Sequence, residues 1–193
     1  ADFNAFLKIG EDGRGSCFTG KIEMGQGIVS SLAQMLADEL DVSLDSVDMV
    51  MGDTDLCPYD RGTYGSLTTR SFGPALRQAG AEARAVLLEL AATHLEAGVA
   101  DLGVEQGEIY IRKRPEKRIS YAELTQGKRI EHFVSGTVQP KLPGEFKLMN
   151  RPRLRSDSLE KVTGTAQYAG DIRLPDMLCA RILRPPAHGA KLR

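Results

Sequence analysis

The sequence predicts an α/β fold (α+β) in which helices pack on mixed sheets, and three observations carry that reading. Residues 16–51 run from strand through a glycine-rich turn and an amphipathic helix to a second strand. Residues 74–96 hold a long alanine-rich helical pattern, and residues 108–121 alternate like a hairpin. With 193 residues, 41% hydrophobic and 26% charged, the chain has the composition of a globular protein with a real core.

Taken in order, Phe6-Leu7-Lys8-Ile9 and Ser16-Cys17-Phe18-Thr19-Gly20-Lys21-Ile22-Glu23 flank Glu11-Asp12-Gly13-Arg14-Gly15. Alternating runs around a Gly/Asp turn predict a β-hairpin. The second run breaks at Gly25-Gln26-Gly27. Ile28, Leu32, Met35, Leu36 and Leu40 then share one face of a helix ending about Leu40. Ser46-Val47-Asp48-Met49-Val50-Met51 alternates as a strand closed by Gly52-Asp53-Thr54, and a loop runs from Asp55 to about Gly73. Pro74 suits the first turn of a helix through about Glu96, with Gly98 as its stop. Ala75, Ala79, Ala81, Ala83, Ala85, Ala91 and Ala92 let that helix pack closely. Glu108-Ile109-Tyr110-Ile111-Arg112 and Lys117-Arg118-Ile119-Ser120-Tyr121 straddle Arg114-Pro115-Glu116 as a second hairpin, and Tyr121-Ala122-Glu123-Leu124 opens a short helix.

From Pro140 to Leu159 composition shifts to Pro140, Pro143, Pro152, Lys141, Lys147, Arg151, Arg153 and Arg155. This reads as a surface linker whose basic residues serve solubility or a subunit contact. Beyond it, residues 162–168 and 177–183 read as two strands joined through Asp171-Ile172-Arg173-Leu174-Pro175. Two strands alone are marginal, so this piece is expected to need a partner or further chain.

A formal net charge of -1 gives no electrostatic case for nucleic acid or an anionic membrane. No apolar run approaches the roughly 20 residues of a transmembrane span, and no basic-then-apolar leader opens the sequence; localisation stays open. Cys17, Cys57 and Cys179 form no CxxC pair, and His94, His132 and His188 are scattered. These residues are expected to hold no zinc or iron–sulfur site, and the cysteines to be free thiols.

Two stretches carry chemistry. Gly25-Gln26-Gly27 precedes a helix, where close-approaching amides and the helix dipole favour an anion; its plain alternative is a tight turn with a solvent-facing Gln26. Thr63-Tyr64-Gly65-Ser66-Leu67-Thr68-Thr69-Arg70-Ser71 puts five Ser/Thr hydroxyls and an arginine before the next helix. It reads as a second cradle in which Arg70 clamps a phosphate, or as a Ser/Thr-rich surface turn. Together they suit one extended polyanionic ligand, although neither is a Walker loop or a GxGxxG fingerprint. Gly52-Asp53-Thr54-Asp55 has an acid pair that a hard cation could use, but Asp53 reads better as a loop cap. Gly144-Glu145 reads as a solvated glutamate.

With Gly20-Lys21-Ile22-Glu23-Met24-Gly25-Gln26-Gly27, Gln34-Met35-Leu36-Ala37-Asp38-Glu39-Leu40, Met51-Gly52-Asp53-Thr54-Asp55, Gly62-Thr63-Tyr64-Gly65-Ser66, Leu76-Arg77-Gln78-Ala79-Gly80-Ala81, Lys161-Val162-Thr163-Gly164 and Tyr168-Ala169-Gly170-Asp171-Ile172 in one order, the chain resembles the molybdopterin-binding subunit of the xanthine dehydrogenase and aldehyde oxidase family. The resemblance is to the isoquinoline 1-oxidoreductase and nicotinate dehydrogenase branch. It implies that Gly25, Gln26, Gly27, Gly65, Ser66 and Thr68 contact a molybdopterin cytosine dinucleotide carrying molybdenum. It also implies residues 1–140 as part of the molybdopterin-binding domain, 141–158 as a linker, and 159–193 as the start of an α/β hammerhead domain. The expected partners are the remainder of the molybdenum-binding subunit, a [2Fe–2S] subunit, and an aldehyde or N-heterocyclic substrate hydroxylated with water-derived oxygen. The family's general base is a glutamate in a late glycine-glutamate motif. Gly144-Glu145 lacks that context, so no catalytic residue or direct metal ligand is assigned to this chain. The alternative is a non-catalytic assembly module or a degenerate fragment of such a complex.

Overall fold

Helix α1, Ile28–Leu40, connects two neighbouring parallel strands, β2 (Gly15–Phe18) and β3 (Val47–Val50). Strand β1, Leu7–Ile9, adds to β2 antiparallel in the register Leu7↔Cys17, giving the order β1-β2-β3. This is the expected hairpin followed by a helix and a strand. The computed structural model describes residues 7–128 and 134–190, so Phe6 and His132 lie outside the described residues. The chain divides into two compact units, Ala1–Ser156 and Asp157–Arg193.

The α1 stripe is buried as its spacing predicts: Leu32, Leu36 and Leu40 are fully enclosed, and Ile28 is nearly so. The long helix α2, Gly73–Leu95, lies against it. Its alanine pattern permits close approach, and Ala79, Ala81, Ala83 and Ala91 are buried while Ala75 is exposed. A second sheet, β4 (Leu102–Glu105), β5 (Glu108–Ile111) and β6 (Arg114–Ser120), is an antiparallel meander closed by the short helix α3, Tyr121–Thr125. Ser120 caps α3 in a reciprocal box with Glu123. The Tyr121 hydroxyl donates to the Leu40 carbonyl at 2.7 Å, tying this sheet to the end of α1. Leu7, Cys17, Leu76, Ile109 and Leu124 join one continuous core. Cys17 is a free thiol within it, pushed up to about 12 by burial and the nearby Cys57.

Several expectations change. The β-like run at residues 20–23 is irregular, and β2 ends at Phe18. There the Lys21 N–H donates to the Thr19 hydroxyl and the Ile22 N–H to one side chain of a neighbouring loop. Helix begins before Pro74, because Thr68–Phe72 forms a π-helical turn that leads straight into α2. The second hairpin turns at Arg112 and Lys113. Pro115 sits within β6, the outer strand of its sheet, where a missing N–H breaks no inner ladder bond. Strand β4 falls within the expected connection.

The basic segment from Lys141 is held against the helices. Asp38, fully buried, accepts backbone N–H bonds from Lys147 at 2.8 Å and Met149 at 2.8 Å. Glu39 accepts from the Lys141 N–H at 3.0 Å and pairs with Arg77 at 2.7 Å. Asp41 meets Arg84, Lys141 and Lys147 at 2.7, 2.7 and 3.0 Å. Three acidic groups at a helix C-terminus oppose its dipole, and these cations and amides offset that cost.

In the second unit, residues 162–168 and 177–183 are not strands. Ser158–Thr163 is a short helix α4 with Gly164 in the left-handed region, and Asp157 pairs with Lys161 one turn on at 2.6 Å. Among the described residues of this unit there is no strand, so neither expected strand has a partner. Leu178, Ile182 and Leu183 are almost fully exposed.

Candidate functional site

The segment after β2 becomes a loop because its polar groups find partners in the loop after β3. Lys21 Nζ donates to Asp60 Oδ1 at 2.7 Å and to the Gly62 carbonyl at 3.0 Å. Asp60 Oδ1 also accepts the Gly62 N–H at 2.8 Å. The Ile22 N–H donates to Thr63 Oγ1 at 2.8 Å. Gly20 permits the approach: a Cβ there would stand 2.4 Å from Asp60 Cβ and 2.7 Å from the Pro58 carbonyl oxygen. Glycine is required by the contact, not by an unusual φ.

The turn that follows is built around Glu23. Its Oε1 accepts N–H bonds from Gly25 at 2.8 Å and Gly27 at 2.9 Å, and its Oε2 accepts from Val29 at 3.2 Å. Gly25 and Gly27 have φ of 102° and 80°, which aims alternate amides at one point. Gly27 is the N-cap of α1 and has no side chain of its own to cap with, so Glu23 supplies the acceptor. Arg155 closes the other side, donating to the Gly25 carbonyl and lying 3.4 Å from Glu23 Oε1. Partial burial pushes the Glu23 carboxyl up. The amides of Gly27, Val29 and Gly25, with Arg155, outweigh it and hold the group below the ordinary carboxylate range.

Gln26 is exposed at the apex. Its Oε1 accepts the Met24 N–H and its Nε2 donates to the Ile22 carbonyl at 2.9 Å. One Nε2 proton and one Oε1 lone pair remain for a ligand. A Cβ at Gly25 would meet nothing within 4 Å, so that face of the turn is open.

In the second stretch Gly65 and Ser66 both lie in the left-handed region, at φ 61° and 55°. The Leu67 N–H returns to the Tyr64 carbonyl at 3.2 Å. Gly65, Ser66, Thr69, Arg70 and Ser71 are exposed, whereas Thr68 is buried at the head of the π-helical turn. Arg70 makes no ion pair among the described residues.

The two stretches singled out in the sequence therefore belong to loops that are bonded to one another. Their fit to a phosphate-bearing cofactor is divided. The amides of Gly25 and Gly27 already hold a carboxylate, so this turn offers Gln26 rather than an amide nest. The loop at Gly65 and Ser66 offers exposed backbone and hydroxyls, with exposed Arg70 four residues on in sequence, groups that suit an anion. Sequence reasoning gave no site role to Glu23, Arg155 or the Lys21–Asp60 pair, and took Thr63 as one hydroxyl of the second cradle rather than as the acceptor that joins the two loops. An acid just before a glycine turn at a helix start was the local signal for Glu23; nothing local marked Arg155.

Asp53 Oδ1 accepts from the N–H groups of Asp55 and Leu56 at 2.9 and 3.0 Å, the loop-capping role expected of it. Glu145 is exposed and accepts from the Leu142 N–H at 2.7 Å. Among the described residues no group of three or more His, Cys, Asp or Glu could hold a metal ion, and no helix is long and apolar enough to cross a membrane.

The family model described as the molybdopterin cofactor-binding domain matches residues 2–158. One nicotinate dehydrogenase subunit of Pseudomonas putida is 37% identical over 184 residues, covering 95% of this chain and 15% of that protein. The β subunit of isoquinoline 1-oxidoreductase of Brevundimonas diminuta is 26% identical over 226 residues, covering 96% of this chain and 29% of that protein. Among solved structures, quinoline 2-oxidoreductase from Pseudomonas putida 86 superposes with a TM-score of 0.53 at 29% identity, over 61% of this chain and 15% of that one. Reconstituted CO dehydrogenase from Oligotropha carboxidovorans gives a TM-score of 0.52 at 31% identity, over 61% and 15%. The chain thus spans less than a third of the length of these relatives.

Proposed function

The chain belongs to the molybdopterin cofactor-binding domain family of molybdenum-dependent oxidoreductase subunits, and from that premise we propose that it forms one wall of a molybdenum hydroxylase site. The whole enzyme would oxidise an aldehyde or an N-heterocycle, the latter in keeping with the nicotinate and isoquinoline enzymes it is similar to. When bound, a molybdopterin cytosine dinucleotide would supply the redox chemistry and transfer of water-derived oxygen. The observation that carries the reading is the stitching of the two candidate loops into one unit by the Ile22–Thr63 and Lys21–Asp60 bonds.

This chain's own residues bind and orient. Gln26 presents a neutral carboxamide whose free proton donates to a ligand atom. Gly65 and Ser66 present backbone at left-handed φ, where a bulky side chain would keep a ligand away. Thr68, buried, stands at the start of the π-helical turn that carries exposed Arg70. Such groups hold the reacting centre in place, while proton transfer from substrate or water falls to residues of the remaining subunit. Electrons would leave through [2Fe–2S] clusters on a partner subunit.

The test is Gln26→Ala in the complete complex, with molybdenum and nucleotide content measured on purified enzyme. The expected result is content well below that of the native enzyme. Native content together with native activity would remove the turn from the cofactor site.

A further inference from the structure

We infer that Glu23 is the resident anion of the α1 N-terminus, locked by Arg155, so that the Gly25–Gly27 turn is a rigid positioning device and the ligand's phosphates are received elsewhere. The inference deepens the cofactor reading and rests on it for the identity of the ligand, but its geometry stands apart from that reading.

Three amides converge on this carboxylate from positions two, four and six residues further along, at 2.8, 2.9 and 3.2 Å. An external phosphate would need the same N–H groups. It could gain them only by expelling Glu23 into solvent, breaking three charge-assisted bonds and freeing Arg155 from the carboxylate. Two anions in one nest would repel each other across a few ångströms. Arg155 reaches the turn from 130 residues away to hold the Gly25 carbonyl. Its guanidinium lies 3.7–3.8 Å from where a Cβ on Gly27 would stand, so it covers that side of the turn. The carboxylate and the guanidinium therefore fix both the N–H and the C=O of Gly25. Gln26 is framed between Ile22 and Met24 as a result, with its conformation set before any ligand arrives. The anion-receiving role passes to the loop at Gly65 and Ser66, where backbone and hydroxyls are exposed.

The experiment uses the complete enzyme purified without cofactor. Hydrogen–deuterium exchange at the Gly25, Gly27 and Val29 amides is followed with and without inorganic phosphate, in native enzyme and in Glu23→Ala and Glu23→Gln. Native amides are expected to be protected with or without phosphate. In Glu23→Ala exchange rises about tenfold or more, the loss of a charge-assisted hydrogen bond at each site. Added phosphate then restores protection, because the emptied nest accepts it, and Glu23→Gln lies between the two. A rise without the phosphate rescue overturns the inference, because Glu23 would then brace the turn without filling an anion site. Native amides that become protected only when phosphate is added overturn the inference, as does an unchanged Glu23→Ala. The native measurement decides the matter even if Glu23→Ala fails to assemble. Protected amides alongside native content and native activity in Gln26→Ala would remove the turn from the cofactor site and leave this inference standing. Phosphate-dependent native amides with depleted Gln26→Ala would do the reverse.

Discussion

Ile22 and Thr63 stand 41 residues apart and share one 2.8 Å hydrogen bond, from the Ile22 N–H to the Thr63 hydroxyl. Ile22 lies between a β2 strand that has ended and a turn that holds Gln26. Thr63 lies two residues before Gly65 and three before Ser66. This bond and the Lys21–Asp60 pair make the spacing between the two candidate loops a property of the fold.

Thr63→Val removes the acceptor and keeps the branched shape. The bond is exposed, so the expected stability cost is small, about 0.5–1 kcal/mol. The cofactor content of the complete enzyme should fall by more than such a cost explains, and Thr63→Ser should recover it. Thermal unfolding and molybdenum analysis on the same preparations separate the two effects. A Thr63→Val enzyme with native content would show that the stitch is dispensable.

Asp41 ends α1 in the left-handed region, at φ 54°, with its side chain 4% exposed among three cations. Burial raises its carboxyl, and Lys141, Lys147 and Arg84 outweigh this to hold it low. Asp41→Asn keeps a residue tolerant of that backbone while removing the charge. It leaves Arg84 and Lys141 facing a neutral group, a loss of about 2–3 kcal/mol, below the full cost of breaking a buried pair because Lys147 is largely exposed. Urea-dependent hydrogen exchange of the Lys147 and Met149 amides in the complete subunit should report it, since both amides are bonded to the neighbouring Asp38.

Glu82 is 1% exposed and accepts from the Ser135 and Gly136 amides at 2.8 and 2.6 Å. Burial pushes its carboxyl up; those amides, Gln78 and the Ser135 hydroxyl overcome this and bring it from 4.5 down to about 2. A group depressed on folding contributes stability above its unfolded value, and that contribution is lost as pH falls through the folded one. Protection of the Ser135 and Gly136 amides, corrected for intrinsic rates, should therefore be constant above about pH 5 and decline from there towards pH 2. Asp41 adds a change of the same sign. Glu82→Gln should flatten the decline at Ser135 and Gly136; an equally steep profile in that variant would assign it to another group.

What can be read from sequence is whatever depends on local periodicity. The spacing of Ile28, Leu32, Leu36 and Leu40 predicts helix α1, and the small residues from Ala79 to Ala91 predict the close packing of α2. The two glycine-bearing stretches stand out because φ-permissive residues before helices are local signals. Three features are not local. Glu23 reads as part of a strand, yet the strand ends at Phe18: the Lys21 N–H turns to the Thr19 hydroxyl and the Ile22 N–H to the Thr63 hydroxyl in another loop. The basic residues after Pro140 look solvated, because their partners Asp38, Glu39 and Asp41 lie about a hundred positions earlier. Pro115 reads as a turn because edge position cannot be seen in a single strand. Strands at 162–168 and 177–183 follow from alternation alone, and alternation does not provide a neighbouring strand.

The contact between α1 and α2 makes the last prediction. Gly80 sits mid-helix in α2 with an ordinary helical backbone, so alanine there would usually stabilise by up to about 1 kcal/mol. Here an added Cβ would stand 2.9 Å from Glu39 Cβ and 3.1 Å from Leu36 Cδ1. Neither neighbour can retreat easily. Leu36 is fully buried, and Glu39 is pinned by Arg77 at 2.7 Å and the Lys141 N–H at 3.0 Å. The helices must therefore part by a few tenths of an ångström, and overpacking of this kind costs about 1–3 kcal/mol. Gly80→Ala should be net destabilising by about 1–2 kcal/mol, against the helix-propensity rule. Gly144→Ala, where a Cβ meets nothing within 4 Å, serves as the neutral control. Urea midpoints of the two variants in the complete subunit make the comparison, and a Gly80→Ala protein at least as stable as native would mean that the helices do not approach this closely.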